Sequence, residues 1–168
     1  MSLFPADIEQ LATRIVTEFT QRNLTVATAE SCTGGLIAGA LTEVAGSSAV
    51  VDRGYITYSN TAKIEMIGVS NAVLMEYGAV SRQTALQMVD GALKRSGASL
   101  AVAVTGIAGP GGGSADKPVG LVHLAAKSRT GTLLHRDMRY GDLGRDGVRL
   151  ATVKTALEML MKVAQDTA

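Results

Sequence analysis

Tryptophan is absent from these 168 residues, cysteine occurs once, histidine twice and proline three times, and aromatic residues make up only 4%. Each scarcity closes a class of explanation. One cysteine cannot form an internal disulfide, so the fold must rest on burial, which a domain of this length can supply without staples or metals. The two histidines, His123 and His135, lie inside expected strands with no clustered ligands, so neither a metal site nor a Ser-His triad is expected. Chelators should therefore leave activity intact. An excess of one charge is also missing: 16 basic and 15 acidic side chains give a net +1, with no basic run or aromatic-basic interleaving. Nucleic acid is not expected as a partner. No apolar run approaches the roughly 20 residues of a bilayer span, and MSLFPADIEQL has neither the charged nor the apolar region of an export leader. A cytoplasmic protein with no membrane partner is the expectation.

What is plentiful is apolar surface, 46% hydrophobic against 18% charged residues, which suits one domain over 1–168 that buries further surface in an oligomer. Ile8, Leu11, Ala12, Ile15, Val16 and Phe19 recur at helical spacing, giving a helix over 5–22. Residues 24–29 read as a short buried strand, 34–44 as a helix of small residues, 50–58 as a strand, and 60–66 and 70–77 as short helices. Ser81 starts a helix to about Arg95, and the apolar run 100–104 reads as a central strand covered on both faces. The segments 119–126 and 132–139 flank SRTG as an antiparallel hairpin, and Val148 to Ala164 mark a long last helix. This order predicts a three-layer α/β/α sandwich around a mixed, mainly parallel five-stranded sheet.

Three polar joins could carry chemistry. TVATAESCTGG crowds Glu30, Ser31, Cys32 and Thr33 where a strand hands over to a helix, with Gly34 and Gly35 behind them. Free N–H groups at such a mouth favour an anion or developing oxyanion, although Ser31 or Thr33 could merely cap the helix and Cys32 could be a small buried hydrophobe. GYITYSNTAK places Tyr55 and Tyr58 on opposite faces of a strand, so one of them reaches a site, with Lys63 a helical turn beyond Asn60. The glycine-rich stretch after Thr105 and Gly106 fits neither a Walker loop nor the G-x-G-x-x-G fingerprint. It does sit at the strand end where open α/β sheets gather ligands.

AESCTGG at 29–35, GYITYSNTAK at 54–63, GAVS at 78–81, VTGIAGPGGG at 104–113 and KPVG at 117–120 closely resemble, in this order, the CinA C-terminal domain family. The resemblance runs from about residue 7 to about residue 163, and a later segment, YGDLGRDGVR, brings Arg145 and Arg149. It implies an α/β/α homodimer that needs no cofactor and deamidates nicotinamide mononucleotide to nicotinate mononucleotide and ammonia. Many relatives carry a further N-terminal domain, so a stand-alone deamidase-type protein is expected. On this reading Ser31 is the nucleophile, Tyr58 or Lys63 moves the proton, and backbone N–H groups near Thr33 to Gly35 hold the oxyanion. Lys63 would need a lowered pKa to act as a base. Candidate substrate contacts are Glu30, Thr33, Gly34, Gly35, Ser48, Asn60, Thr105, Gly106 and Arg145. A rival arrangement gives the substrate phosphate to the helix mouth at 33–35 and moves the nucleophile elsewhere. A reading from another class is a non-catalytic nucleotide-sensing or protein-binding module in competence or DNA-damage responses.

Overall fold

The structure, a computed structural model, describes residues 2–167. Helix α1 (Ala6–Gln21) leads into strand β1 (Val26–Glu30), α2 (Leu36–Thr42) and β2 (Val51–Ile56). Three helices follow, α3 (Asn60–Ile67), α4 (Asn71–Tyr77) and α5 (Arg82–Lys94), then β3 (Leu100–Gly106), β4 (Leu121–Ser128), β5 (Leu133–Arg139) and α6 (Gly144–Gln165). The sheet order is β2-β1-β3-β4-β5. β1 runs parallel to both β2 and β3, while β4 is antiparallel to β3 and to β5. The expected mixed α/β/α sandwich is the one observed.

Side-chain size divides the two faces. On β3, Leu100, Val102 and Val104 point into a cluster with Ile8, Ile15 and Phe19 of α1, Ile37 and Leu41 of α2, and Leu157 and Leu160 of α6. Ala101 and Ala103 point the other way, with Ala27, Ala29 and Ala125, beneath Ala85, Met88, Val89 and Ala92 of α5. The strand alternates large and small residues, so α5 lies close to the sheet while the other face packs bulkier chains. Each fully buried side chain of the Phe19, Ile15 or Leu157 kind contributes about 1.5–3 kcal/mol relative to its exposed state. The small face is tight enough to demand Gly91: a Cβ there would stand 1.8 Å from the carbonyl oxygen of Ile67, so α3 and α5 touch backbone to backbone.

Among the boundaries that depart from the sequence reading, three bear on the site. α2 begins at Leu36 rather than Gly34, because Gly34 and Gly35 take φ of +59° and +101°, a left-handed turn that no helix continues through. β2 ends at Ile56, so Tyr58 stands beyond the strand rather than on it. Ser59, not Asn60, caps α3, its Oγ accepting the Ala62 N–H at 3.0 Å. Among the described residues no helix is long and apolar enough to cross a membrane.

Candidate active site

From β1 the chain leaves toward β2 on one side, and from β3 it leaves toward β4 on the other. The carboxyl ends of two adjacent parallel strands whose connections part in this way leave a crevice, the usual ligand site of an open α/β sheet. Here it brings Ser31, which follows β1, beside Thr105 and Gly106, which end β3; the Ser31 N–H donates to the Val104 carbonyl at 3.1 Å. A cavity of about 280 Å³ opens there. Its walls include Ser31, Cys32, Tyr58, Lys63, Thr105, Gly106, Arg145 and the loop from Ile107 to Gly112. Two cations and no carboxylate line it, an electrostatic setting that suits an anionic ligand. A larger depression of about 440 Å³ along the outer side of α1 is lined by Ala6, Glu9, Gln10, Thr13 and Arg14, with no serine, cysteine or lysine.

Lys63 is brought to Ser31, as one of the two proton-transfer candidates. A lysine in a short helix is ordinarily solvated, yet this one is 1% exposed. Its Nζ lies 3.0 Å from Ser31 Oγ, 2.7 Å from the Thr57 carbonyl and 3.4 Å from the Tyr58 carbonyl. Burial disfavours the ammonium and pushes the Lys63 pKa down to about 8, with the neighbouring Cys32 opposing the shift. The three oxygens match both protonation states. As an ammonium the group donates to all three; as an amine it keeps two donors for the carbonyls and turns its lone pair to the Ser31 hydroxyl. Cys32 also lines the cavity, but burial pushes its thiol up to about 11, which leaves it protonated and a poor nucleophile.

The structure corrects several expected substrate contacts. Glu30, 1% exposed, turns away from the cavity and fills the mouth of α2 with its own carboxylate. Oε1 accepts the Ile37 N–H at 2.9 Å and the Thr33 hydroxyl at 2.6 Å, while Oε2 accepts the Ala38 N–H at 3.0 Å and the Thr28 hydroxyl at 3.2 Å. The positive end of the helix is already neutralised, so a phosphate there would meet a carboxylate; the rival arrangement loses its site. Thr33, Gly34 and Gly35 do not line the cavity either: Thr33 is fully buried against Glu30 and the two glycines make the turn. Nor is the Gly34 N–H free for an oxyanion, since it donates to the Ser31 carbonyl at 3.0 Å. Ser48 is exposed on a 3-10 turn just before β2, at the opposite end of the sheet. Asn60 is exposed in the first turn of α3 and does not line the cavity.

The remaining candidates do converge. The Thr105 hydroxyl is buried and donates to the Ala79 carbonyl at 2.8 Å, tying β3 to the GAVS segment. A Cβ on Gly106 would fall 2.8 Å from the Leu121 carbonyl oxygen, so the pairing with β4 is what requires glycine. At the mouth, Tyr58 is 60% exposed and accepts a hydrogen bond from Arg145 Nη2 at 3.1 Å, while Arg145 Nη1 donates to the Gly109 carbonyl at 2.8 Å. Tyr55 is turned elsewhere, its hydroxyl donating to the Arg95 carbonyl. Of the two proton-transfer candidates, Lys63 therefore touches Ser31 and Tyr58 reaches Arg145. Sequence reasoning gave no role to Ala79, the Thr57 carbonyl or Arg149; GAVS was visible as a motif, but a backbone oxygen leaves no signature. Among the described residues no group of three or more His, Cys, Asp or Glu is placed to hold a metal ion.

Comparisons with known proteins show the family. The model of the CinA C-terminal domain matches residues 8–164. The chain is 46% identical over 156 residues to the nicotinamide-nucleotide amidohydrolase PncC of Escherichia coli (strain K12), covering 92% of this chain and 93% of that protein. It is 45% identical over 161 residues to a CinA-like protein of Syntrophus aciditrophicus (strain SB), of which it covers only 38%. The chain thus spans under half the length of several CinA-like relatives and nearly all of the amidohydrolases. A crystal structure of the competence/damage inducible protein CihA from Agrobacterium tumefaciens superposes with a TM-score of 0.97 at 71% identity, over 98% of this chain and 99% of that one. The chain belongs to the CinA C-terminal domain family.

Proposed function

We propose that this protein is a serine-lysine amidohydrolase that converts nicotinamide mononucleotide to nicotinate mononucleotide and ammonia. The observation that carries the reading is the buried Lys63 Nζ, 3.0 Å from Ser31 Oγ, with a pKa lowered to about 8. A desolvated lysine costs stability, and a hydroxyl held against it gains a base at near-neutral pH. A pure binding module has no such need, which weighs against the sensing alternative.

The chemistry runs as follows. Neutral Lys63 takes the Ser31 proton as Oγ attacks the carboxamide carbon, and the resulting ammonium returns that proton to the departing nitrogen, releasing ammonia. Water then attacks the Ser31 ester with Lys63 again as base, freeing the carboxylate and restoring the hydroxyl. Arg145 and the N–H groups of Ala108, Gly109, Gly111 and Gly112, which have no acceptor among the described residues, would receive the phosphate, at a mouth without carboxylates. Tyr58, linked to Arg145, offers its ring to the pyridine. We also infer a homodimer, supported by the apolar composition and by exposed Ile56, Met66 and Met75.

Ammonia release from nicotinamide mononucleotide by the purified chain tests the reading. kcat/KM should rise about tenfold per pH unit below pH 8 and level off above it, because only the free amine is a base. No ammonia at any pH, with the nucleotide still bound, would favour the sensing module.

A further inference from the structure

Arg149, near the start of α6, is half-buried and lies outside the cavity. Among the described residues no carboxylate lies within 4.0 Å of its guanidinium. Two of its five N–H donors go to backbone carbonyls: Nε donates to Cys32 O at 3.1 Å and Nη2 to Thr33 O at 3.1 Å. A half-buried cation given to two neutral acceptors in consecutive peptides is an uncommon way to hold a loop, and that loop immediately follows the Ser31 nucleophile.

Peptide geometry gives the arrangement a consequence. In a planar trans peptide the N–H points opposite to the C=O. Fixing Cys32 O on Arg149 therefore aims the Thr33 N–H away from α6, and among the described residues no acceptor takes that N–H. Fixing Thr33 O likewise aims the Gly34 N–H, which closes the turn onto the Ser31 carbonyl. On the opposite side of the same turn the Thr33 hydroxyl is anchored on Glu30. The turn that immediately follows Ser31 is thus clamped by a guanidinium on one flank and a carboxylate on the other.

We propose that Arg149 is a positioning residue for acyl transfer: its guanidinium clamps the Cys32-Thr33 and Thr33-Gly34 peptides and so fixes the turn that holds Ser31 Oγ against Lys63 Nζ. The inference rests on Ser31 being the nucleophile. It assigns no contact between Arg149 and substrate. The planar fork acts by gripping two consecutive carbonyls, which a single ammonium cannot do.

The test uses Arg149→Lys and Arg149→Ala on the full chain, with Ser31→Ala alongside. Two readouts are followed: kcat and KM for nicotinamide mononucleotide, and the rate at which a fluorophosphonate labels Ser31, read by intact mass. Lysine keeps the charge and the stem but cannot grip two carbonyls, so both variants should lose about 100-fold in kcat and in labelling rate, the loss that a misplacement of about 1 Å at the reacting group can bring, with KM little changed. Added guanidinium ion should restore part of the rate to Arg149→Ala. Unchanged kcat and labelling in Arg149→Lys would overturn the proposal, as would a rise in KM alone, which would make Arg149 a substrate contact. If Arg149→Ala fails to fold, Arg149→Lys decides. An active, unlabelled Ser31→Ala would instead sink the functional reading itself, and labelling reports on the clamp even if this nucleotide is not turned over.

Discussion

Replacing Lys63 by Met should abolish turnover and at the same time change how stability depends on pH. The ordinary lysine pKa is 10.5 and burial lowers that of Lys63 to about 8, so between these values the unfolded chain binds a proton that the folded chain does not. Stability then rises with pH across that window: the penalty for burying the ammonium is fully present below pH 8 and fades as pH climbs to 10.5. Two and a half pH units at about 1.4 kcal/mol each amount to roughly 3 kcal/mol, an upper figure because the group keeps its hydrogen bonds to Thr57 and Tyr58. Methionine has a similar length and no charge, so every other titrating group cancels in the difference between the two proteins. Urea unfolding of both at pH 7, 8, 9 and 10 supplies the assay. The parent should gain on the variant by one to three kcal/mol, most of it above pH 8. Parallel stability curves would refute the argument, since they would mean that Lys63 is charged and solvated in the folded protein.

Glu30→Gln should cost about 2–4 kcal/mol of stability and most of the activity, because an amide cannot accept from all four donors that the carboxylate satisfies; thermal melting compared with turnover checks it. Gly91→Ala should be among the most damaging single-methyl additions, since its Cβ would overlap the Ile67 carbonyl and push α3, with Lys63, off α5; yield and melting temperature read the effect. Light scattering at micromolar concentration should give twice the monomer mass of 17.4 kDa, and a monomer would remove the homodimer inference.

Much of the fold was legible because the signals were local. The Ile8 to Phe19 stripe, the serines that cap α4 and α5, and the apolar run of β3 each specify an element through short-range physics. The site was legible only as a set of polar joins. That Ser31 meets Lys63 depends on β1 and β2 pairing in parallel, which carries residues 32 apart to 3.0 Å. Glu30 was misread because alternation along β1 fixes which face it joins only once the layers are known. It shares the face of Thr28, under α2, and so becomes the plug of the helix mouth rather than a substrate contact. Ser48 and Asn60 look as polar as Ser31 in the sequence. Only the direction of β2 puts Ser48 at the wrong end of the sheet.

The most direct test of the central claim is the covalent intermediate on Ser31. Mixing the chain with nicotinamide mononucleotide, quenching in acid within milliseconds and mapping the adduct by peptide mass should find the acyl group on Ser31, which is 9% exposed and in contact with Lys63. Ser31→Ala should show no adduct and a rate lower by several orders of magnitude with its fold intact, while Cys32→Ala should keep most of the parent rate. An adduct on Cys32, or a Ser31→Ala variant that melts early yet releases ammonia at close to the parent rate, would contradict the account: Ser31 would then be a structural hydroxyl and the nucleophile would lie elsewhere.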